Sequence, residues 1–98
     1  MGREKPIANK IIEYIRSLPR GWAIKTHGGQ FSAGEPDVSG CVNGQAIHLE
    51  VKRNPRLDAS PLQKTKLRQW SEAGAITGVV SSVDEVREML KCFETNKS

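Results

Sequence analysis

The chain has 98 residues, of which 37% are hydrophobic and 27% charged, and its formal net charge is +4 at pH 7. This length supports one domain with a thin core, while two isolated cysteines, Cys41 and Cys92, exclude a disulfide scaffold and a cysteine-based zinc site. The apolar runs are too short for a membrane span and no apolar signal region follows Met1, so we expect a cytoplasmic protein without membrane partners or an organic cofactor.

The first half of the chain predicts one helix followed by three strands. Apolar side chains recur at helical spacing in the first segment and alternate in the third strand. The Asn43-Gly44 pair predicts a tight hairpin turn between the second and third strands. The predicted elements are a helix at 4–18 and strands at 22–27, 37–42 and 46–52.

The second half predicts a helix, a strand and a final helix. Ser60, followed by Pro61 and Gln63, is a typical helix start, and Gly74 ends that helix. A buried strand follows at 76–80, and a second capping pattern at Ser82 opens the last helix. The order α-βββ-α-β-α predicts an α/β fold with a mixed sheet flanked by helices, in a single domain over 1–98 with a disordered tail from about 94 to 98.

Basic and acidic side chains occupy separate parts of the sequence. Residues 1–25 carry a net charge of +4, residues 26–51 carry −3 and residues 52–68 carry +5. The acids of the middle segment are Glu35, Asp37 and Glu50. Carboxylates bind divalent metals and Lys or Arg contact phosphates, so this pattern suits a metal site on a protein that binds a polyanion. It is equally compatible with ordinary solvated charge on a short chain.

The third strand predicts a chemical site because its side chains alternate between two faces. One face carries the core residues Ile47, Leu49 and Val51, and the other carries His48, Glu50 and Lys52. The hairpin brings Asp37 beside Glu50. Two hard oxygen ligands with a neighbouring positive donor are the groups that metal-assisted phosphodiester cleavage requires.

Five elements, in the same order, resemble the virus-type replication-repair nuclease (VRR-NUC) domain of the PD-(D/E)xK nuclease superfamily. They are Lys25-Thr26-His27-Gly28-Gly29, Gly34-Glu35-Pro36-Asp37, Leu49–Lys52, Gln63, and the strand and helix that follow Ala73. The resemblance covers nearly the whole chain. It implies a restriction-endonuclease-like core, a Mg²⁺ or Mn²⁺ cofactor, and hydrolysis of DNA, with a role in DNA repair.

The resemblance also implies roles for individual residues. Asp37, Glu50 and the backbone carbonyl of Val51 would bind the metal, and Lys52 would orient the attacking water. The family uses a glutamate on its first helix, and Glu4 suits this role better than Glu13 because it continues the buried stripe. Glu4 would reach the metal directly or through water. The less favoured alternative is a first-turn acid that complements the helix dipole.

Several residues keep two interpretations. Gln63 is either an active-site residue or a helix cap, and both roles together would require its side chain to alternate. His27 and His48 either approach the phosphate or are plain surface residues, the second being favoured. Trp22 and Trp70 are predicted to be core or interface residues.

The basic segments predict the nucleic-acid contacts. The candidate phosphate-binding residues are Lys25, Arg53, Arg56, Lys64, Lys66 and Arg68. Such contacts carry little base information, so selectivity should be for DNA shape. We therefore expect a homodimeric, metal-dependent endonuclease acting on branched DNA such as four-way (Holliday) junctions. The alternatives are a non-catalytic nucleic-acid-binding module, a nuclease acting on nicked, flapped or linear DNA, and a structural or protein-interaction domain.

Overall fold

A computed structural model describes residues 4–26 and 33–97, with backbone alone for 93–97. The elements follow the predicted order: α1 (Glu4–Ser17), β1 (Gly21–Lys25), β2 (Val38–Val42), β3 (Gln45–Val51), α2 (Pro61–Glu72), β4 (Ile76–Val80) and α3 (Val83–Lys97). Helix α3 extends to Lys97, whereas the sequence predicts a disordered tail from about residue 94; Ser98 lies outside the described residues.

The four strands form one mixed sheet in the order β1-β2-β3-β4. The pairs β1–β2 and β2–β3 are antiparallel, and β3–β4 is parallel. Asn43 and Gly44 turn between β2 and β3 with φ angles of 54° and 86°, as an Asn-Gly hairpin turn requires. Val38 pairs with Leu49, so Asp37 and Glu50, the next residues outward, lie side by side at one end of the hairpin.

Helices α1 and α3 cover one face of the sheet and enclose the hydrophobic core. The helical stripe predicted for α1 contributes its buried side chains to that core, where they meet the inward-facing residues of β2 and β3. The central members are Ala8, Ile11, Ile15, Val38, Ile47, Leu49, Val51, Val86 and Leu90. Over residues 4–26 and 33–97, no helix is both long and apolar enough to cross a membrane.

Helix α2 covers β3 and β4 on the opposite face of the sheet. As a result β3 is buried on both faces, and His48 and Glu50 keep only 8% and 3% of their surface exposed. The interpretation of His48 as a plain surface residue is therefore wrong. A strand that alternates polar and apolar residues normally faces water on one side, but here a helix packs against the polar side.

The two tryptophans lie outside the buried core, contrary to one of the two roles predicted for them. Trp22 is 59% exposed and Trp70 is 38% exposed. Trp22 belongs to the edge strand β1, away from α2, and the Arg16 guanidinium lies 3.9 Å from the centre of its ring. Trp70 contacts His48 and Glu35. Both indoles therefore lie against polar partners instead of filling the core.

Candidate active site

Asp37 stands where the loop preceding β2 enters the sheet. One of its carboxylate oxygens, Oδ2, accepts a hydrogen bond from the backbone N–H of Val51 at 2.8 Å. Its carbonyl oxygen accepts the N–H of Thr26 at 2.7 Å. The side chain is thereby held against the end of β3. The structure thus brings Asp37 to the strand that carries Glu50, as the hairpin predicts.

Glu50 is the most deeply buried acid in the described part of the chain. Its Oε2 atom accepts a hydrogen bond from Gln63 Nε2 at 2.9 Å and lies 3.7 Å from Lys52 Nζ. The other oxygen, Oε1, is buried and has no hydrogen-bond partner among the described residues. Burial, followed by the neighbouring Asp37 carboxylate, raises the pKa of Glu50 to about 8, and Lys52 opposes this rise.

This pair of carboxyl groups fits a divalent cation. Burial of a carboxyl oxygen without a partner is costly, and a second acid alongside adds repulsion whenever both are ionised. A hard cation would satisfy Glu50 Oε1, neutralise the repulsion and displace the proton from Glu50. Asp37 and Glu50 are the residues that would hold it.

Glu4 and Val51 were the other predicted metal ligands. Glu4 is the first residue of α1 and is half-buried. Within 4–26 and 33–97, no three His, Cys, Asp or Glu side chains gather closely enough to hold a metal ion. A water-mediated role for Glu4 stays a prediction, as does a role for the Val51 carbonyl; what the structure adds is that the Val51 amide fixes Asp37.

Lys52 follows β3 and points its amine at the same group of side chains. Its backbone N–H bonds to the Val80 carbonyl at 2.9 Å, which anchors the residue to β4. Its Nζ atom donates to Gln63 Oε1 at 3.2 Å, and the side chain remains 20% exposed. The amine is therefore positioned by the protein yet open to a ligand.

Gln63 contacts Glu50 and Lys52 while it also forms the helix cap. Its Oε1 atom accepts hydrogen bonds from the Ser60 N–H at 2.8 Å and from Lys52 Nζ at 3.2 Å. Its Nε2 atom donates to Glu50 Oε2. The expectation that both roles require an alternating side chain is wrong, because the amide oxygen has two lone pairs and the amide nitrogen is still free to donate.

His48 lies on the same strand face as Glu50 but belongs to a separate polar chain. Its Nδ1 atom is 3.1 Å from Ser39 Oγ, which is 3.0 Å from Thr26 Oγ1. Its ring stacks on Trp70 with 3.7 Å between centroids. Burial lowers the pKa of His48, against an opposing effect of the Glu35 charge. His27, Gly28 and Gly29 lie outside the described residues.

Five of the six predicted phosphate-binding residues lie on the loop after β3 and on α2, next to the carboxyl pair. The sixth, Lys25, is the last residue of β1. Arg53, Arg56, Lys64 and Arg68 are exposed, on the loop after β3 and on α2. Two lysines already have acidic neighbours: Lys64 Nζ lies 2.7 Å from Asp58, and Lys66 Nζ lies 3.6 Å from Glu35. The basic side chains of these residues therefore lie on the segments that carry Lys52 and Gln63.

Sequence reasoning missed one contact of the site, the hydrogen bond from Trp70 Nε1 to Glu35 Oε1 at 3.0 Å. The sequence interpretation named Glu35 as one acid of the middle segment and assigned it no role. The available signal was the spacing of Gln63 and Trp70, which lie seven residues apart and so share one face of α2.

Comparison with known proteins shows where this fold occurs. No protein-family model matches the chain, and no curated protein matches it. A solved VRR_NUC domain is 22% identical with a TM-score of 0.76, covering 91% of this chain and 95% of that one. A solved VRR_NUC domain protein is 15% identical with a TM-score of 0.70, covering 90% and 84%. The chain has the fold of VRR_NUC domains, which confirms the predicted α/β architecture and, at the level of fold, the resemblance.

Proposed function

We propose that this protein is a metal-dependent nuclease that hydrolyses phosphodiester bonds in DNA. The observation that carries the proposal is the buried Glu50 carboxyl, whose Oε1 atom has no hydrogen-bond partner among the described residues and whose neighbours are Asp37 and Lys52. A protein gains no stability from burying such a group beside a second acid, so the arrangement points to a ligand of opposite charge.

The side chains divide the chemistry between them. When bound, Mg²⁺ or Mn²⁺ would supply Lewis-acid stabilisation of phosphate charge and activation of water. Asp37 and Glu50 would hold the cation. Lys52 would hold the attacking water in line with the phosphate and offset negative charge on the phosphoryl oxygens. Gln63 would keep Lys52 and Glu50 in place through its two amide atoms.

The substrate we propose is branched DNA, cut by a homodimer. The exposed arginines and lysines on the loop after β3 and on α2 suit a phosphate backbone and offer little means of reading bases. One chain supplies one Asp37–Glu50–Lys52 site, and symmetrical cutting of two strands, as at a four-way junction, needs two sites related by a two-fold axis. A monomeric mass in sedimentation at working concentration would contradict the junction assignment.

The test is digestion of branched, nicked, flapped and linear DNA with Mg²⁺, Mn²⁺ or EDTA. We expect cleavage with either metal, none in EDTA, and a loss of about 100-fold or more in rate for Lys52→Ala, in the range for removal of a charge-stabilising group. Asp37→Asn should be similarly inactive. Lys10→Ala removes an exposed lysine from α1, which covers the opposite sheet face, and should cleave normally.

Two results would contradict the proposal. Cleavage that persists in EDTA or in Lys52→Ala would rule out this site as its origin. Binding of branched DNA without cleavage in either metal would favour a non-catalytic nucleic-acid-binding module.

A further inference from the structure

The loop that carries Asp37 is fastened to helix α2 two residues before it reaches Asp37. Glu35 is the fastening residue. Its Oε1 atom accepts the indole N–H of Trp70 at 3.0 Å, and its Oε2 atom lies 3.6 Å from Lys66 Nζ. Both partners belong to α2. The position of the Asp37 backbone is therefore tied to that helix as well as to the sheet.

Trp70 is itself tied to the strand that carries Glu50. Its ring stacks on His48 with an interplanar angle of 19°, and His48 precedes Glu50 by two residues on the same strand face. Trp70 therefore joins the Asp37 loop, helix α2 and β3 at a single side chain. Stacking of this kind contributes specific geometry beyond simple burial.

The same helix also holds the Glu50 carboxyl through Gln63. Gln63 and Trp70 lie seven residues apart, which places them on one face of α2. Gln63 Nε2 donates to Glu50 Oε2, and Trp70 Nε1 donates to Glu35 Oε1. One rigid helix therefore sets the positions of both candidate metal-binding acids.

We propose that Glu35 is a positioning residue, and that its hydrogen bond with Trp70 clamps the Asp37 loop so that Asp37 and Glu50 form a preorganised cation site. This inference rests on the proposed function for the identity of the cation. Two carboxyl groups side by side repel each other when ionised, and a loop free to move would separate them. The clamp opposes that separation when both carboxyl groups are ionised, which is the state that binds a cation.

The indole hydrogen bond should matter more than the ion pair. Glu35 and Lys66 keep 28% and 32% of their side-chain surfaces exposed, so water and salt screen their attraction. Trp70 Nε1 lies 3.0 Å from Glu35 Oε1, within hydrogen-bond distance, whereas Lys66 Nζ lies 3.6 Å from Oε2, and a hydrogen bond is directional where the attraction of two exposed charges is not. This difference separates the informative variants from the controls.

Two variants remove the clamp and three serve as controls. Glu35→Ala loses both partners of the acid, and Trp70→Phe loses the donor but retains a ring over His48. Glu35→Gln keeps an acceptor for the indole, and Lys66→Ala removes only the ion pair. Asp58→Asn removes a different ion pair of α2, the one with Lys64 at 2.7 Å.

The first readout needs no metal and no DNA. The Val51 amide donates to Asp37 Oδ2, so its hydrogen exchange in EDTA reports whether Asp37 is in place. The Lys52 amide, which bonds to the Val80 carbonyl, is an internal control in the same protein. We expect faster exchange at Val51 and unchanged exchange at Lys52 in Glu35→Ala and Trp70→Phe, with wild-type behaviour in the three controls.

The second readout is Mn²⁺ binding, followed by the electron paramagnetic resonance signal of the free ion. Glu35→Ala and Trp70→Phe should weaken Mn²⁺ binding about tenfold, as removal of outer supporting contacts does in other metal sites. The three control variants should stay within about twofold of the wild type. If Glu35→Ala fails to fold, Trp70→Phe carries the same test.

The outcomes separate the clamp from the nuclease assignment. Unchanged Val51 exchange in both informative variants overturns the clamp and leaves the nuclease proposal standing. Faster exchange with unchanged Mn²⁺ binding overturns its role in the cation site. A wild-type protein that binds Mn²⁺ no better than Asp37→Asn overturns both proposals.

Discussion

At the scale of single residues, the environment of Glu50 is the least expected feature of the molecule. A carboxyl group on a strand that alternates polar and apolar residues would normally face water. Here α2 covers it. The hydrogen-bond donors beside the carboxyl group are the Lys52 amine and the Gln63 side-chain amide. The residue types of the site are readable from the sequence, whereas the pKa of Glu50 depends on a helix that packs over it.

The raised pKa of Glu50 predicts how stability depends on pH in EDTA. In the folded protein Glu50 keeps its proton up to about pH 8, whereas in the unfolded chain it loses that proton near pH 4.5. The free energy of unfolding should therefore fall as the pH rises from 4.5 to 8. The ionisation of Glu50 should lower the free energy of unfolding by on the order of 2–4 kcal/mol over this range. Urea unfolding in EDTA at pH 5, 6, 7 and 8 measures it.

Glu50→Gln should remove this part of the pH dependence and be more stable than the wild type at pH 8 in EDTA. Glu13→Gln changes an exposed glutamate on α1 and should keep the wild-type slope. Added Mg²⁺ should reduce the slope in the wild type, because the cation replaces the proton. Equal slopes in wild type and Glu50→Gln would show that Glu50 ionises normally.

At the scale of elements, α2 organises the site. It contributes Gln63 to Glu50 and Lys52, and Trp70 to Glu35 and His48. The capping box at Ser60 fixes where this helix begins, and Gln63 is part of that box. The start of the helix and the geometry of the carboxyl pair are therefore set by the same side chain.

Gly34, in the loop before Asp37, lies against Leu62 of α2 in a backbone conformation that favours glycine. Gly34 has a φ of 81°, and a Cβ atom there would lie 2.5 Å from Leu62 Cγ. Gly34→Ala should therefore lower the free energy of unfolding by about 2 kcal/mol, from backbone strain and the clash together. Urea denaturation measures this loss, and Val51 hydrogen exchange shows whether Asp37 moves.

Gly44→Ala is the matched control, with a φ of 86° and no atom within 4 Å of the added Cβ. It should cost only the backbone strain, about 1 kcal/mol. Adding Leu62→Ala to Gly34→Ala should recover part of the loss, which isolates the clash in a double-mutant cycle. Equal losses at Gly34 and Gly44 would mean that Leu62 yields without cost.

At the scale of the whole molecule, the basic residues should determine how tightly DNA binds. The excess positive charge of the sequence concentrates in residues 1–25 and 52–68, and the second of these segments flanks Lys52 and Gln63. Phosphate contacts release counterions, so affinity should fall steeply with salt. Because these basic side chains lie next to the carboxyl pair, they would bring the phosphate backbone of the DNA to Lys52.

Binding of a branched DNA in EDTA, measured against salt concentration, tests this arrangement. Arg53→Ala and Arg56→Ala should each reduce the slope of log K against log salt by about one, the value for a single phosphate contact. Arg87→Ala removes the same charge from α3, on the opposite face of the sheet, and should leave the slope unchanged. An affinity independent of salt would contradict phosphate binding.

The sequence by itself determined the order of the elements, the hairpin at Asn43-Gly44 and the pairing of Asp37 with Glu50. These follow from local periodicity, turn chemistry and strand register, which depend on residues close together in the chain. Only the tertiary structure decided what α2 covers: the burial of Glu50 and His48, the simultaneous roles of Gln63, and the bond between Glu35 and Trp70. The reason is that Glu35 and Trp70 are far apart in sequence, and α2 brings them together by packing across a strand whose polar pattern predicts contact with water.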